Sequence, residues 1–272
     1  MDKSFRIKFD QVDRTTDPED FVRYLDATRA TDFFREIKRR SYALLDLHRG
    51  DHVCDIGCGT GDDVLALARL VMPSGRAVGM DVSATMIGEA ERRAAAAGIA
   101  AEFVQMDAQR LDLPDVLFDG VRAERLLQHV PDPDAALGEI VRVAKPGARI
   151  VVWEADLDLF VIDAPDYATS RAMQRFICDG FRNGGIGHEL YRRFKDRDLT
   201  DVQATPLTRE LTDWALVESA FDLRASTQQA TATGVIAQRR VTDWLASLAA
   251  ARDTGRFFCA VGGFLAFGRK PQ

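Results

Sequence analysis

The 272-residue chain predicts an α/β fold, a parallel sheet with helices on both faces. Three observations carry this. Short apolar runs of strand length alternate with helical stretches between His52 and Trp153. A glycine-rich turn, Gly57-Cys58-Gly59-Thr60-Gly61, joins the first such strand to the helix that follows. An acid, Asp81, ends the next strand about twenty residues later.

The elements follow in order. In residues 1–45, Asp17 reads as a cap, Pro18 as first-turn proline, and Glu19 and Asp20 as acids suited to a helix start. Phe21, Tyr24 and Leu25 continue at helical spacing, and Phe33, Phe34, Ile37, Tyr42 and Leu45 mark a second helix. His52–Ile56 reads as a strand, and Asp62–Val71 as a helix stopped before Pro73. Residues 76–80 form the next strand; Ser83 caps the following helix and Gly98 ends it. Strands over 101–105 and 118–123 come next, then a helix opened by Asp132-Pro133 with the stripe Ala136, Leu137, Ile140, Val141 and Ala144. Residues 149–153 are the fifth strand. Beyond Trp153 the rhythm changes to Asp and Pro turns, a helix near 170–181 and a glycine-rich turn at 183–187. A helix over 189–197, a strand over 202–211, mostly helix over 217–250 and a buried strand over 257–267 complete the chain.

The turn and the acid answer the needs of one ligand class. Alternating glycines let the backbone approach a small molecule closely, and an acid at the next strand end accepts both hydroxyls of a ribose. An adenosine-containing cofactor is expected across these strand ends. In the dinucleotide fingerprint G-x-G-x-x-G the third glycine falls where Asp62 stands; here Gly61 comes one residue early and Asp62-Asp63 follows. Two acids there would repel a pyrophosphate. Asp55 adds negative charge that suits a cationic, amine-bearing ligand. S-adenosylmethionine, with a sulfonium, an amine and no phosphate, fits; a nicotinamide dinucleotide does not.

Residues 53–63, 79–83 (Gly-Met-Asp-Val-Ser), 106–108 (Met-Asp-Ala), 118–121 (Phe-Asp-Gly-Val) and 145–147 (Lys-Pro-Gly) resemble the ordered motifs of class I S-adenosylmethionine-dependent methyltransferases. The nearest likeness is to small-molecule enzymes of the ubiquinone/menaquinone-biosynthesis and bacterial natural-product type, and it covers about residues 40–153. The resemblance implies a Rossmann-like, seven-stranded, mostly parallel sheet whose last strand is antiparallel and joined by a hairpin-like reversal. It implies a helical lid over 1–45, a cofactor-binding core over 46–153, an acceptor-binding insertion with the rest of the core over 154–255, and a core strand over 256–272. The lid is expected to close over the cofactor.

The resemblance also implies roles. Asp55, Gly57, Cys58, Gly59, Thr60 and Gly61 face the methionine part, and Asp81 the ribose. Val82 and Met86 flank the adenine; Asp107 accepts its amino group, or caps a loop; Ala108 supplies a backbone amide. Ala123 and Glu124 pass the amino-acid end of the cofactor. His129 is a candidate general base or a loop hydrogen bonder. Glu154, with Asp156, is a candidate for proton removal or amine binding, or a turn cap, and Tyr24 is a lid residue or a core aromatic. The implied reaction is methyl transfer to a small, hydrophobic or cyclic metabolite. A cyclase or pericyclase that keeps the cofactor as structure, or a non-catalytic cofactor-binding partner protein, stays open, as does methylation at O, N or C.

A net charge of −6 argues against a nucleic-acid surface, with Lys38-Arg39-Arg40 read as a solvated helix face. No apolar run reaches the ~18–20 residues needed to span a bilayer. Residues 1–6 lack the apolar core of a signal peptide. Cys54, Cys58, Cys178 and Cys259 form no C-x-x-C pair and have no histidine at zinc-ligand spacing, so no metal is expected and the setting is read as cytoplasmic. A small-molecule acceptor is the expected partner, with a homodimer possible.

Overall fold

In a computed structural model, which describes residues 9–272, one sheet holds β1 (His52–Ile56), β2 (Arg76–Asp81), β3 (Glu102–Gln105), β4 (Phe118–Glu124), β5 (Ala144–Ile162), β6 (Thr200–Leu211) and β7 (Cys259–Arg269). The order is β3-β2-β1-β4-β5-β7-β6. β1 to β5 are parallel, and β7 runs antiparallel to both its neighbours. The strand order reverses between β1 and β4, which opens a crevice at their carboxyl ends. The first eight residues of the expected lid lie outside the described residues.

The helices are α1 (Glu19–Arg29), α2 (Asp32–Leu45), α3 (Asp62–Val71), α4 (Ala84–Ala97), α5 (Pro133–Val143), α6 (Tyr167–Asp179), α7 (Ile186–Lys195), α8 (Trp214–Phe221), α9 (Leu223–Ala232) and α10 (Gln238–Asp253). Local chemistry sets their ends. The Ser83 hydroxyl accepts the Met86 N–H at 3.2 Å and opens α4, and Gly98 ends it in the left-handed region. The Asp132 carboxylate accepts the N–H groups of Asp134 and Ala135 at the start of α5. One face of the sheet buries Ile56, Val121 and Val152 with Ile140 of α5 and Leu190 and Phe194 of α7. The other buries Val53, Val151 and Trp153 with Ile37 of α2 and Val64 and Leu67 of α3. A third cluster joins Phe160 of β5 to Met173 of α6 and Trp244 of α10.

Several expectations change. β5 runs 19 residues to Ile162, where turns were expected after 153. The acids there broke the apolar run, but β7 pairs with the extension as far as Ile162↔Cys259, and the carboxylates of Glu154 and Asp156 find backbone donors. β7 does not follow β6 by a hairpin: α8 to α10 intervene and pack on α6 and β5. Asp17 does not cap α1, because its carboxylate pairs with Arg23 at 2.9 Å and Pro18 takes the cap position. Ala144 begins β5 rather than ending the α5 stripe.

The N-terminal segment is tied to α4. The Asp13 carboxylate accepts the Ser83 hydroxyl at 2.6 Å and the Ala84 N–H at 2.8 Å, and Phe21 and Val12 are buried against Met86. No helix among the described residues is long and apolar enough to cross a membrane.

Candidate functional site

A cavity of about 540 Å³ opens at the carboxyl ends of the parallel strands. Gly57, Gly59, Asp81, Val82, Met86, Asp107 and Ala108 line one end. Phe9, Tyr24, Leu25 and Phe34 wall it from the N-terminal segment, and Leu211, Leu216 and Phe221 from the C-terminal half. Such an apolar pocket with a few polar groups is the usual form of a small-molecule site.

The glycine turn is fixed by β2. The Gly57 and Cys58 N–H groups both donate to the Met80 carbonyl, at 2.7 and 2.9 Å. The Gly59 N–H donates to Asp81 Oδ2 at 2.9 Å and the Ser83 N–H to Oδ1 at 3.0 Å. Asp81 is thus held at the cavity wall with lone pairs to spare. Burial pushes its carboxyl above the ordinary value, while those N–H groups oppose the shift. Gly61 serves packing: at φ +77°, a Cβ would lie 2.6 Å from Ala90 Cβ and 2.7 Å from the Phe103 ring. Asp107 lines the cavity, but its carboxylate already accepts the Gln109 N–H at 2.9 Å and the Gln109 side chain at 3.0 Å.

Other expected residues stand outside the lining. Cys58, Thr60, Gly61 and Ala123 are behind it; the Thr60 hydroxyl donates to Asp62 at 2.9 Å. Asp55 is corrected. It is 2% exposed, its carboxylate pairs with Arg122 at 2.8 Å, and it does not line the cavity. Arg122 also contacts Asp63 at 3.3 Å and Glu124, and donates to the Ser41 hydroxyl at 3.1 Å. Lys38 pairs with Asp63 and, at 3.4 Å, with Glu124, and Tyr42 donates to Asp63. Lys38 is therefore no solvated helix residue. Burial pushes Asp55 up to about 6 against the pull of Arg122. Asp63 is also buried, yet Arg122 and Lys38 outweigh that and hold it below the usual carboxylate range. Asp62 pairs with Arg93 at 2.7 Å and Arg29 at 2.9 Å. The argument that Asp62 and Asp63 repel a phosphate is corrected with it, since both are neutralised by cations away from the cavity. Sequence reasoning passed over Arg122. Its signal was an arginine inside an apolar strand, which must be paired if buried.

Glu154 and Asp156 do not face the cavity. Glu154 is fully buried, and its Oε1 accepts the N–H groups of Leu126 and Leu127 at 2.8 and 2.6 Å. Burial pushes it up to about 8, against those donors. It anchors the loop after β4. Asp156 accepts the His188 N–H at the start of α7, at 2.6 Å, and its ring nitrogen at 2.7 Å. With Asp158 these form a group of metal-ligating type within 4.8 Å, which the sequence did not foretell; none of the three lines the cavity.

Tyr24 and His129 do line it. The His129 ring lies 5.1 Å from the Phe9 ring, and its Nε2 is 2.9 Å from the Gln128 side-chain nitrogen. Burial, then the charges of Arg125 and Arg182, push its pKa down to about 3. It is neutral near pH 7 and a weak base. His129→Asn is therefore expected to lower turnover by less than the ~10²–10⁴-fold that a general base contributes. The rate should also show no rise through the ordinary histidine pKa. A pH–rate profile of both proteins checks this, and a loss in that range with a vanished titration would restore the base.

A methyltransferase-domain profile matches residues 47–199. A protein of transposon Tn4556 from Streptomyces fradiae is 38% identical over 244 residues, 89% of this chain and 69% of that one. The ubiquinone/menaquinone biosynthesis C-methyltransferase of Pseudomonas putida is 39% identical over 119 residues. That match spans 43% of this chain and under half, 46%, of the enzyme. The crystal structure of the YcgJ protein from Bacillus subtilis superposes with a TM-score of 0.61 at 19% identity, over 88% of this chain and 99% of that one. The glycine turn tied to β2, the tethered acid at its end and the profile match over more than half of the chain place it in the methyltransferase-domain family, among the class I S-adenosylmethionine-dependent methyltransferases.

Proposed function

We propose that the protein transfers a methyl group from S-adenosylmethionine to a small, largely apolar acceptor, of the quinone-like or secondary-metabolite kind. The observation that carries this is one cavity lined both by the Gly57–Gly59 turn with tethered Asp81 and by a mostly apolar wall from α1, α2, β6 and α8. The cofactor supplies a methyl carbon made electrophilic by its sulfonium. The chain's own part is to bind, orient and exclude water. In this reading Asp81 holds the ribose hydroxyls, Val82 and Met86 border the adenine, and the backbone of Gly57 and Gly59 borders the methionine part. Glu124 lines the cavity while paired with Lys38 and Arg122, and in the same reading it accepts the cofactor amine. Tyr24 and Phe34 close the acceptor side. Fixing donor and acceptor in near-attack geometry contributes ~7–11 kcal/mol, so a strong base is not required of the site when the acceptor is itself nucleophilic.

Calorimetric titration with S-adenosylhomocysteine tests the cofactor half. Asp81→Ala is expected to weaken binding by about 10–150-fold, the ~1.5–3 kcal/mol of hydrogen bonds to a charged group. Unchanged affinity would remove the ribose assignment. Transfer of a labelled methyl group to an acceptor extract separates methylation from cyclisation on the same fold. Binding without any transfer would favour the latter.

A further inference from the structure

Resting on that reading, we propose that the acceptor carries an anionic oxygen, a carboxylate or an enolate-type oxygen on an apolar or aromatic body, and that Arg125 binds it. Arg125 follows β4 in the left-handed region, at φ +53°. A side chain larger than glycine adopts that conformation at a cost, and such outliers gather at ligand sites. The conformation is fixed from behind, since the Arg125 N–H donates to the Trp153 carbonyl at 2.8 Å and Glu154 holds the next residues.

The side chain is 16% exposed and lines the cavity. Its guanidinium carbon lies 4.6 Å from the centre of the Phe34 ring. Its one acid among the described residues is Glu124 at 3.8 Å, a carboxylate already engaged by Arg122 and Lys38. No hydrogen bond from the guanidinium to a described residue is formed, and Nε, the atom 3.8 Å from Glu124, is buried without a hydrogen-bond partner. Elsewhere buried Arg122 and largely covered Arg93 are saturated, each serving several carboxylates. A planar fork of donors left unmatched on an aromatic plate in an apolar cavity is suited to a planar oxyanion.

The placement favours the acceptor over the carboxylate of the cofactor. The glycine turn and Asp81 lie at the ends of β1 and β2 and Glu124 at the end of β4 borders the cofactor amine, while the Arg125 guanidinium reaches over Phe34 of α2, on the acceptor side. Its neighbour Trp153 on β5 lines the same wall, and the indole Nε1 is also buried without a partner. Arg209 of β6 also lines the cavity, with no hydrogen bond to a described residue, although its charge acts on Asp32 of α2. The two buried unpaired donors, Arg125 Nε and Trp153 Nε1, thus both belong to cavity-lining residues.

The test uses 2-naphthoate and its neutral isostere 2-naphthamide as probes, titrated into the full chain saturated with S-adenosylhomocysteine. The wild type is expected to bind the carboxylate at least tenfold more tightly than the amide. Arg125→Gln should abolish that preference, Arg125→Lys should keep part of it, and Arg209→Gln should leave most of it. Thermal melts confirm that each variant is folded. Equal binding of the two probes to the wild type overturns the proposal, as does a preference that survives Arg125→Gln or disappears only in Arg209→Gln. If Arg125→Gln instead weakens S-adenosylhomocysteine and spares the preference, Arg125 belongs to the cofactor carboxylate and the proposal falls. Failure of the wild type to bind S-adenosylhomocysteine at all counts against the methyltransferase reading itself, and the probe preference measured without it still reports on Arg125.

Discussion

Arg122→Met is expected to destabilise the protein by about 3–5 kcal/mol, the cost of removing one partner from a buried ionic cluster. Arg122 is 1% exposed and holds Asp55, Asp63 and Glu124 together beneath α2. A methionine fills much of the volume, so the loss reads the charge more than a cavity. Three carboxylates would remain with Lys38 and, 3.8 Å from Glu124, Arg125. Because Asp55 already sits high, at about 6, it is the acid that takes a proton first. Adding Asp55→Asn to the variant should therefore recover part of the loss. Urea unfolding of the two variants and the wild type measures both effects. A loss under ~1 kcal/mol, the size of an exposed pair, would show that the cluster does not carry the packing of α2 on the sheet.

Glu154→Gln is expected to change how stability depends on pH. Burial raises Glu154 from an ordinary 4.5 to about 8 in the folded chain. Between those values the folded state keeps a proton that the unfolded state has released. Stability therefore falls as pH rises through this window, by on the order of 1 kcal/mol per pH unit from this group. The full contribution is present below the unfolded value and lost above the folded one. The amide introduced by the substitution cannot ionise, and its carbonyl oxygen can still accept the Leu126 and Leu127 N–H groups that both fall on Oε1 of Glu154. The variant should be close to wild type near pH 5 and gain on it steadily toward pH 8. Unfolding curves at several pH values read the difference directly. A constant or shrinking gap would mean that the backbone donors hold the anion and that burial does not win.

Much of this arrangement could be read before any fold was known. The glycine turn and Asp81 were legible because their demands are local: a backbone that needs no Cβ, and an acid at a strand end. The helix limits at Ser83, Gly98 and Asp132 were legible for the same reason, since a cap acts within a turn of its own chain. Asp55 was misread because its partner, Arg122, is 67 residues away and meets it only across the β1–β4 pair. Glu154 takes the capping role among its expected alternatives, but on another loop: three N–H groups after β4 reach its carboxylate, and no local pattern announces them.

By itself, the sequence determined the alternation of strand and helix, the glycine turn after β1 and the acid at the end of β2, all of which rest on short-range sterics and periodicity. Tertiary structure decided which charges face the ligand and which face each other. A buried carboxylate takes whatever cation or N–H the packing brings to it, and the same packing left the Arg125 fork unmatched on the cavity wall while it saturated Arg122. Desolvation depends on what surrounds a group in space, and that is set by the sheet order rather than by neighbours along the chain.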